Sequence, residues 1–552
     1  MSADHSQVSS AAIDAAIENA NRRQLLGHPM GLFLLFLVEM WERFSYYGMR
    51  GILVLYLTSP TSGMRNPAPG APEGFNPGPG WSDADANNAY GWYTGLAYLS
   101  PILGGMIADK LIGTHRSMLV GGLLIALGHI VLGISGLGGV AGSAYEMTVF
   151  VMGLALIVLG TGHFKPSVSV MVGQLYKHGD ARRETAFGIF YMGINLGSAL
   201  QTYIVGTLGE RVGWHWGFGA AAVGMILGLI LYMVMRAKLL KGIGDPPANG
   251  RSSLAPIFIP ISIVIAVIAA AAFHTGLLKR ADVFISSGPM PWIIGLAALL
   301  WASWFTIKQR PEDRGPVASI FIFMLFNAVF WLSFEQAGSS INIFTDRFTD
   351  RFLGSFQVPT TWFQSVNPWL IVIFAPITGV MWTFLSRKNA NPSQPYKISI
   401  GLILVGLGYL FMVWAALQAK EPAKAQMWLI CATYFVHTMG EIVLSPTGLS
   451  YVTKAAPREY TSLLMGIWFI SSFMANLGAG KVAAMVQPIL DGQKTLPWHL
   501  DKTATQVVEA TGKVANTQAD FFFLFVITSC GAGLLILVLG PFLKKLTGGR
   551  DV

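Results

Sequence analysis

The stretch Glu39-Met-Trp-Glu42-Arg43-Phe-Ser-Tyr46-Tyr47-Gly48-Met-Arg50 sets carboxylates, guanidiniums and phenols inside an otherwise apolar run. At about 100° per residue on a helix, Glu39, Glu42, Arg43, Tyr46, Tyr47 and Arg50 share an arc of roughly 140°. Such a stripe can pass a proton or clasp a charged ligand. An ion-pair knot that only fixes helix packing is the plain alternative. Two carboxylates with two guanidiniums exceed what packing needs. Lys165, Glu335 and Glu441 stand alone in other apolar runs. A buried Lys shifts its pKa readily and can exchange partners. Burial raises a carboxyl pKa and a nearby cation lowers it, so a carboxylate that alternates between those states carries one proton per cycle. Pro166, directly after Lys165, interrupts the backbone ladder and lets a helix bend towards a cavity. The structural alternatives are a Lys165 paired permanently with Glu39 or Glu42, and carboxylates that serve only packing.

Weaker polar signals surround these. Trp331 lies one turn before Glu335 and Ser339 one turn after; Asn195, Asn367-Pro368 and Ser445-Pro446 also interrupt apolar runs. Taken singly, each reads more simply as a helix–helix hydrogen bond than as a ligand. Asp109, in Gly104-Gly-Met-Ile-Ala-Asp109-Lys-Leu-Ile-Gly113, fits a structural or gating role at a helix end. Motifs for metal-dependent or serine hydrolysis and for phosphate binding do not occur in the chain. Catalytic, cofactor-binding and metal-ligating residues are accordingly not assigned. With no nucleotide-hydrolysing loop, energy for uphill work must come from an ion gradient.

These residues need a scaffold, and composition says which. Apolar residues make up 53% of the 552-residue chain and charged residues only 12%, against about 25% charged in soluble proteins. Apolar runs of roughly 20 residues, long enough for a bilayer core, start near Gly31, Asn88, Met118, Thr148, Thr185, Trp216, Leu254, Pro291, Pro316, Trp362, Ile398, Gln426, Thr461 and Phe521. The run near Thr185 is the most polar. Fourteen spans put alternate loops on opposite sides, and one side holds about twice the Lys and Arg of the other, which places both termini in the cytoplasm. The net charge of +9 therefore reports topology, not a nucleic-acid partner. Cys431 and Cys530 fall inside spans as small apolar fillers. The tail containing AAIDAAIENANRR predicts a mobile or surface-lying helix, not a cleaved signal. Ser59–Gly80 predicts a flexible outer loop, and Pro488–Gln518 a second one that can hold a short helix.

The halves of the chain echo each other. Arg183-Glu184, Gly188-Ile189-Phe190 and Asn195-Leu196-Gly197 are matched by Arg458-Glu459, Gly466-Ile467-Trp468 and Asn476-Leu477-Gly478. Parallel repeats place a substrate site between bundles at mid-membrane. The spans from Leu254 and Pro291 have no echo and read as an inserted hairpin that fills space or meets lipid.

The motifs resemble the proton-dependent oligopeptide transporter family of the major facilitator superfamily, from about Gly31 to Leu546. They are Glu39-x-x-Glu42-Arg43-Phe44-x-Tyr46-Tyr47-Gly48, Gly160-Thr-Gly-His-Phe-Lys165-Pro166 with Gly173-Gln-Leu-Tyr176, and Phe190-Tyr-Met-Gly-Ile-Asn195-Leu-Gly. The second half adds Phe330-Trp331-x-x-Phe-Glu335-Gln336, Phe363-Gln-Ser-Val-Asn367-Pro368 and Gly440-Glu441-x-x-x-Ser445-Pro446-x-Gly-Leu. The resemblance implies an all-α membrane protein with the major facilitator fold: two six-helix bundles plus an inserted two-helix hairpin, 14 transmembrane helices in all. The expected divisions are a cytoplasmic tail 1–29, a bundle 30–238, the hairpin 239–313, a bundle 314–546 and a tail 547–552.

The resemblance also implies roles. Glu39, Glu42 and Arg43 would couple proton movement to Lys165, and Glu335 would be a protonation site that releases the outer gate. Arg50 and Lys165 would hold a peptide carboxylate, and Glu441 with Asn195 and Asn367 the amino end. Tyr47, Tyr98, Trp331, Trp468 and Ser472 would line the side-chain pocket. Animal members carry a proton-sensing His where this chain has Gly91; His163 is a weaker candidate for sensing. The expected activity is import of di- and tripeptides with protons across a bacterial inner membrane, with no nucleic acid, cofactor or obligate protein partner. Its rivals are symport of another small anion such as nitrate or a drug-like acid, a channel, and a receptor.

Overall fold

The computed structural model describes residues 14–177, 179–246, 250–419, 423–491, 493–494, 496 and 518–550. Long helices dominate, because backbone in a medium without water must satisfy its own hydrogen bonds. The first six are α1 (Met30–Thr58), α2 (Asp83–Ile107), α3 (Thr114–Ser135), α4 (Glu146–Gln174), α5 (Arg182–Gln201) and α6 (Trp214–Leu239). Then come α7 (Phe258–His274), α8 (Leu277–Ser286), α9 (Met290–Ile307), α10 (Pro311–Phe334) and α11 (Ser340–Phe348). The last five are α12 (Val366–Arg387), α13 (Gln394–Gln418), α14 (Met427–Ala455), α15 (Thr461–Ala483) and α16 (Ala519–Leu546). Among the described residues, twelve helices are long and apolar enough to cross a membrane. The fourteen expected spans exceed this by α1 and α5. The first carries Glu39, Glu42, Arg43 and Arg50. The second opens on Arg182, Arg183 and Glu184 and is rich in glycine.

Two compact units form, Met1–Ile52 with Leu96–Leu278 and Leu53–Gly95 with Lys279–Val552. In the first, Leu35, Val38, Phe164, Val168, Phe190 and Met225 build the core. Glycines allow its helices to approach closely. A β-carbon on Gly121 of α3 would stand 2.6 Å from the Gly160 carbonyl oxygen of α4, and one on Gly197 of α5 would stand 2.2 Å from that of Met40 in α1. The described part of the N-terminal tail is docked, not mobile. Residues 14–21 are helical, and Ala16 and Ala20 enter the same core. The Asn21 amide donates to the Leu175 carbonyl at 3.2 Å. The one-turn spacing of Ala16 and Ala20 supplies the small apolar face that docking needs.

In the second unit Phe323, Phe330, Tyr409, Phe521, Phe522 and Phe525 form the core. The sequence echo has a structural counterpart here. A β-carbon on Gly478 of α15 would stand only 2.9 Å from the Leu332 side chain of α10, whereas one on Gly197 meets the Met40 backbone. Asn195 and Asn476 each donate to the carbonyl four residues back, Tyr191 and Ser472, at 2.9 Å. The Pro- and Gly-rich segment after α1 is pinned where a flexible loop was expected. Its ends close through Met64 N–H to Phe75 O at 2.7 Å and Trp81 N–H to Leu57 O at 2.8 Å, and Asn66 donates to the Asp346 carbonyl at 2.8 Å. Gly63 and Gly74 take positive φ of 116° and 72°, and a β-carbon on Gly63 would meet Gly74 Cα at 2.8 Å. Short strands add a parallel pair, Thr349–Asp350 with Ala425–Gln426, and an antiparallel one, Phe352–Leu353 with Phe356–Gln357. Residues 497–517, in the second expected outer loop, lie outside the described residues.

The segment expected to form the unechoed hairpin holds α7, α8 and α9. Phe258 at the start of α7 meets His163 of α4 with ring centroids 5.6 Å apart. Phe305 is buried on α9, meeting Tyr460 at 5.2 Å, while Trp292, Leu299, Leu300 and Ile307 are exposed, as lipid contact requires. The connector α8 does more than fill space. Its Asp282 accepts from Trp92 Nε1 at 2.7 Å and pairs with Lys481 of α15, and Lys279 Nζ lies 3.3 Å from Asp85.

Candidate functional site

In the first unit the α1 stripe folds onto itself. Arg43 Nε donates to Glu42 and lies 3.1 Å from Glu39 Oε1. Glu39, Glu42 and Arg43 are only 3%, 0% and 3% exposed, so water does not screen them. Glu39 Oε2, Glu42 Oε1 and Arg43 Nη2 are buried and make no hydrogen bond among the described residues. Natural interiors seldom leave polar atoms unsatisfied, and such atoms call for a role. The Arg43 guanidinium stands 5.1 Å from the Tyr46 ring centroid, and that of Arg50 stands 5.5 Å from Tyr47. The two tyrosine rings meet edge to face at 5.3 Å.

Lys165 comes to this cluster from α4. Its Nζ sits 3.9 Å from the Tyr98 ring centroid, and its charge acts on Glu39 together with Arg43 and Glu42. Fully ionised, Glu39, Glu42, Arg43 and Lys165 sum to zero. Withdrawing the Lys165 charge leaves one negative charge in a dry site, which a proton can neutralise. Lys165 is half-buried, which leaves it reach towards a ligand. Nearby, His163 is held by Ser117 at 3.0 Å. Asn195 is buried and its amide is spent on Tyr191.

In the second unit α10 ends at Phe334, and the tighter turn Glu335–Gly338 leads into α11. Glu335, 2% exposed, opens that turn. Gln336 braces the break. Its Nε2 donates to the carbonyls of Ala479 at 3.0 Å and Leu332 at 3.3 Å, and its Oε1 accepts from Ser340 at 2.5 Å. Trp331 packs edge to face against Phe330 and Phe334 at 5.4 and 5.3 Å. Asn367, on the first turn of α12, donates from Nδ2 to Glu441 Oε2 at 2.7 Å and to Thr438 Oγ1 at 3.0 Å. Trp468 of α15 is buried, and a β-carbon on Gly448 of α14 would stand 2.6 Å from its ring. The Ser472 carbonyl accepts from Asn476. The side chains of Ser445 and Pro446 lie outside the described residues.

The structure thus joins Glu39, Glu42 and Arg43, sets Lys165 over Tyr98, and pairs Asn367 with Glu441. Sequence reasoning missed Thr438, although a hydroxyl three residues before a lone carboxylate shares its helix face. It also missed the Asn327 Nδ2 to Ser471 Oγ bond of 3.1 Å between α10 and α15 and the Asp282 link. Nothing in spacing alone marks partners so far apart in the chain.

The chain as a whole is similar to known proteins. A family model described as the POT family (PTR2) matches residues 115–498. The peptide transporter YePEPT of Yersinia enterocolitica is 35% identical over 478 residues, 84% of this chain and 89% of the relative. A di-/tripeptide transporter of Lactococcus lactis is 33% identical over 540 residues, 96% of this chain and 99% of the relative. A crystal structure of a peptide transporter POT in complex with sulfate superposes with a TM-score of 0.76 at 31% identity, covering 97% of this chain and 99% of that one.

Proposed function

Because this chain belongs to the proton-dependent oligopeptide transporter (POT) family, we propose that it imports di- and tripeptides together with protons by alternating access. It is a multi-pass membrane protein and a peptide transporter, as its relatives are named. In our reading α1 and α5 also span the bilayer, giving fourteen spans in a bacterial inner membrane with both termini cytoplasmic. The observation that supports proton coupling is the cluster around Arg43, where two buried carboxylates share one guanidinium; in our reading Lys165, over Tyr98 on α4, supplies the second positive charge. When a peptide carboxylate recruits Lys165 and Arg50, Glu39 or Glu42 is left in excess and takes up a proton. Release of the peptide returns Lys165 and expels that proton.

The other roles follow from chemistry. Glu441, held by Asn367, takes the peptide ammonium group. Tyr47, Tyr98, Trp331, Trp468 and Ser472 contact the peptide's side chains. Glu335, buried where a helix changes pitch, is a protonation site that releases the outer gate. A zwitterion enters lipid only at high cost, and opposite charges in the protein replace its hydration. One proton moving through about 150 mV supplies roughly 3.5 kcal/mol, which sustains accumulation of a few hundredfold. A symporter of a simple anion has no use for a carboxylate positioned as Glu441 is.

The test is reconstitution into liposomes with an inward proton gradient and a labelled dipeptide. Saturable uptake that stops with a protonophore, and counterflow driven by unlabelled dipeptide, are expected. Uptake that neither saturates nor supports counterflow would mean a channel; binding without uptake would mean a receptor.

A further inference from the structure

We propose that Thr438 is a positioning residue that fixes which way the Asn367 amide faces, and so which atoms meet the amino end of the substrate. The inference rests on the reading that Glu441 and Asn367 receive that amino end. Thr438 lies on α14 three residues before Glu441, on the same helix face, and is fully buried. A hydroxyl carries one hydrogen. That of Thr438 is given to the Tyr434 carbonyl at 2.6 Å, so towards Asn367 the oxygen can only accept.

The amide of Asn367 meets two acceptors at once. Its Nδ2 lies 3.0 Å from Thr438 Oγ1 and 2.7 Å from Glu441 Oε2. An amide nitrogen has two hydrogens, and each finds one partner. Rotating the amide by half a turn would set its oxygen against a hydroxyl lone pair and a carboxylate. Both contacts would become repulsive. Oδ1 is therefore kept out of this network, as an acceptor beside the Glu441 carboxylate. A protonated amine donates three hydrogen bonds and accepts none, so an amide oxygen suits it and an amide NH2 does not.

Glu441 alone is a weak lock. When an ammonium group draws on its charge, or a proton neutralises it, the carboxylate no longer enforces the amide's orientation. Thr438 does so in either state, because its own hydrogen is committed to the helix backbone. A merely structural hydroxyl would affect stability without regard to what the ligand carries at its amino end.

The experiment uses the full chain in liposomes. A free-amine dipeptide and its N-acetylated counterpart compete with a labelled dipeptide in wild type, Thr438→Val, Thr438→Ser and Glu441→Gln. Losing one neutral hydrogen bond predicts that Thr438→Val weakens the free-amine ligand roughly three- to tenfold. The acetylated ligand should be affected far less, and Thr438→Ser should match wild type. Equal weakening of both ligands, no weakening, or a Ser variant that behaves like Val would overturn the proposal. Thr438→Ala repeats the test if the Val protein is not recovered folded. If Glu441→Gln discriminates between the ligands and Thr438→Val does not, only the Thr438 assignment falls. If Glu441→Gln weakens both ligands equally, the reading of Glu441 falls and takes this one with it.

Discussion

Gly91 of α2 and Gly480 of α15 pack backbone to backbone: a β-carbon on Gly91 would stand 3.0 Å from Gly480 Cα and 3.1 Å from the Leu477 carbonyl oxygen. In the animal members that the sequence resembles, the Gly91 position carries a proton-sensing His. Here the crossing has no room for an imidazole. A β-carbon on Gly480 would lie 2.4 Å from the Asn87 carbonyl oxygen and 2.7 Å from Gly91 Cα. Gly480→Ala should therefore lower the melting temperature in detergent and reduce uptake, by the roughly 1–3 kcal/mol of an overpacked contact. Gly91→His should lose transport without gaining a new pH response. A Gly91→His protein with wild-type stability would show that the crossing is looser than described.

Lys165→Ala should abolish gradient-driven uptake. The Glu39–Glu42–Arg43 cluster then keeps an uncompensated negative charge and takes up a proton permanently. Lys165→Arg should restore little, because a planar guanidinium does not match the compact geometry of the ammonium over Tyr98. Uptake of a labelled dipeptide in the three proteins decides it; full activity with Arg would reduce Lys165 to a fixed charge.

Glu335→Gln should impair accumulation more than counterflow. Counterflow exchanges loaded carriers, whereas net uptake needs the unloaded return that a proton on Glu335 would govern. Equal initial rates and equal accumulation ratios in variant and wild type would remove Glu335 from coupling.

Glu441→Gln should weaken free-amine dipeptides roughly ten- to hundredfold, the worth of about 1.5–3 kcal/mol in a charge-assisted hydrogen bond. N-acetylated dipeptides lose less, because they bring no cation. Arg50→Ala should mirror this, sparing C-terminally amidated peptides. Competition by the three ligand types in each variant separates the two ends of the substrate.

Asp282 offers a pH prediction outside the spans. Burial pushes its carboxyl up, but hydrogen bonds from Lys481 and Trp92 outweigh this and hold it below the usual range. A depressed folded pKa gives stability that is present above the unfolded value of about 3.9 and lost as pH falls through the folded one. Asp282→Asn should lower the melting temperature at neutral pH, and the gap to wild type should close below about pH 4. A gap unchanged with pH would mean the carboxylate charge contributes nothing there.

The membrane class and the main charged residues were legible in the sequence because both are one-dimensional signals. A bilayer demands apolar runs of fixed length, and a charge inside such a run stands out whatever it touches. Glu39, Glu42, Arg43 and their helix arc followed from a helical period alone, since i to i+4 partners are neighbours by construction. The pinning of the loop after α1 was not legible: Pro and Gly composition suggests freedom, while long-range bonds such as Asn66 to Asp346 remove it. Asn367 with Glu441, and Asp282 with Lys481, join residues 74 and 199 positions apart. Helix period cannot relate residues on different helices. Their meeting depends on how each helix is rotated and how closely it packs, and that is decided by core side chains and by glycines such as Gly197 and Gly480, whose missing β-carbons set the approach of the backbones.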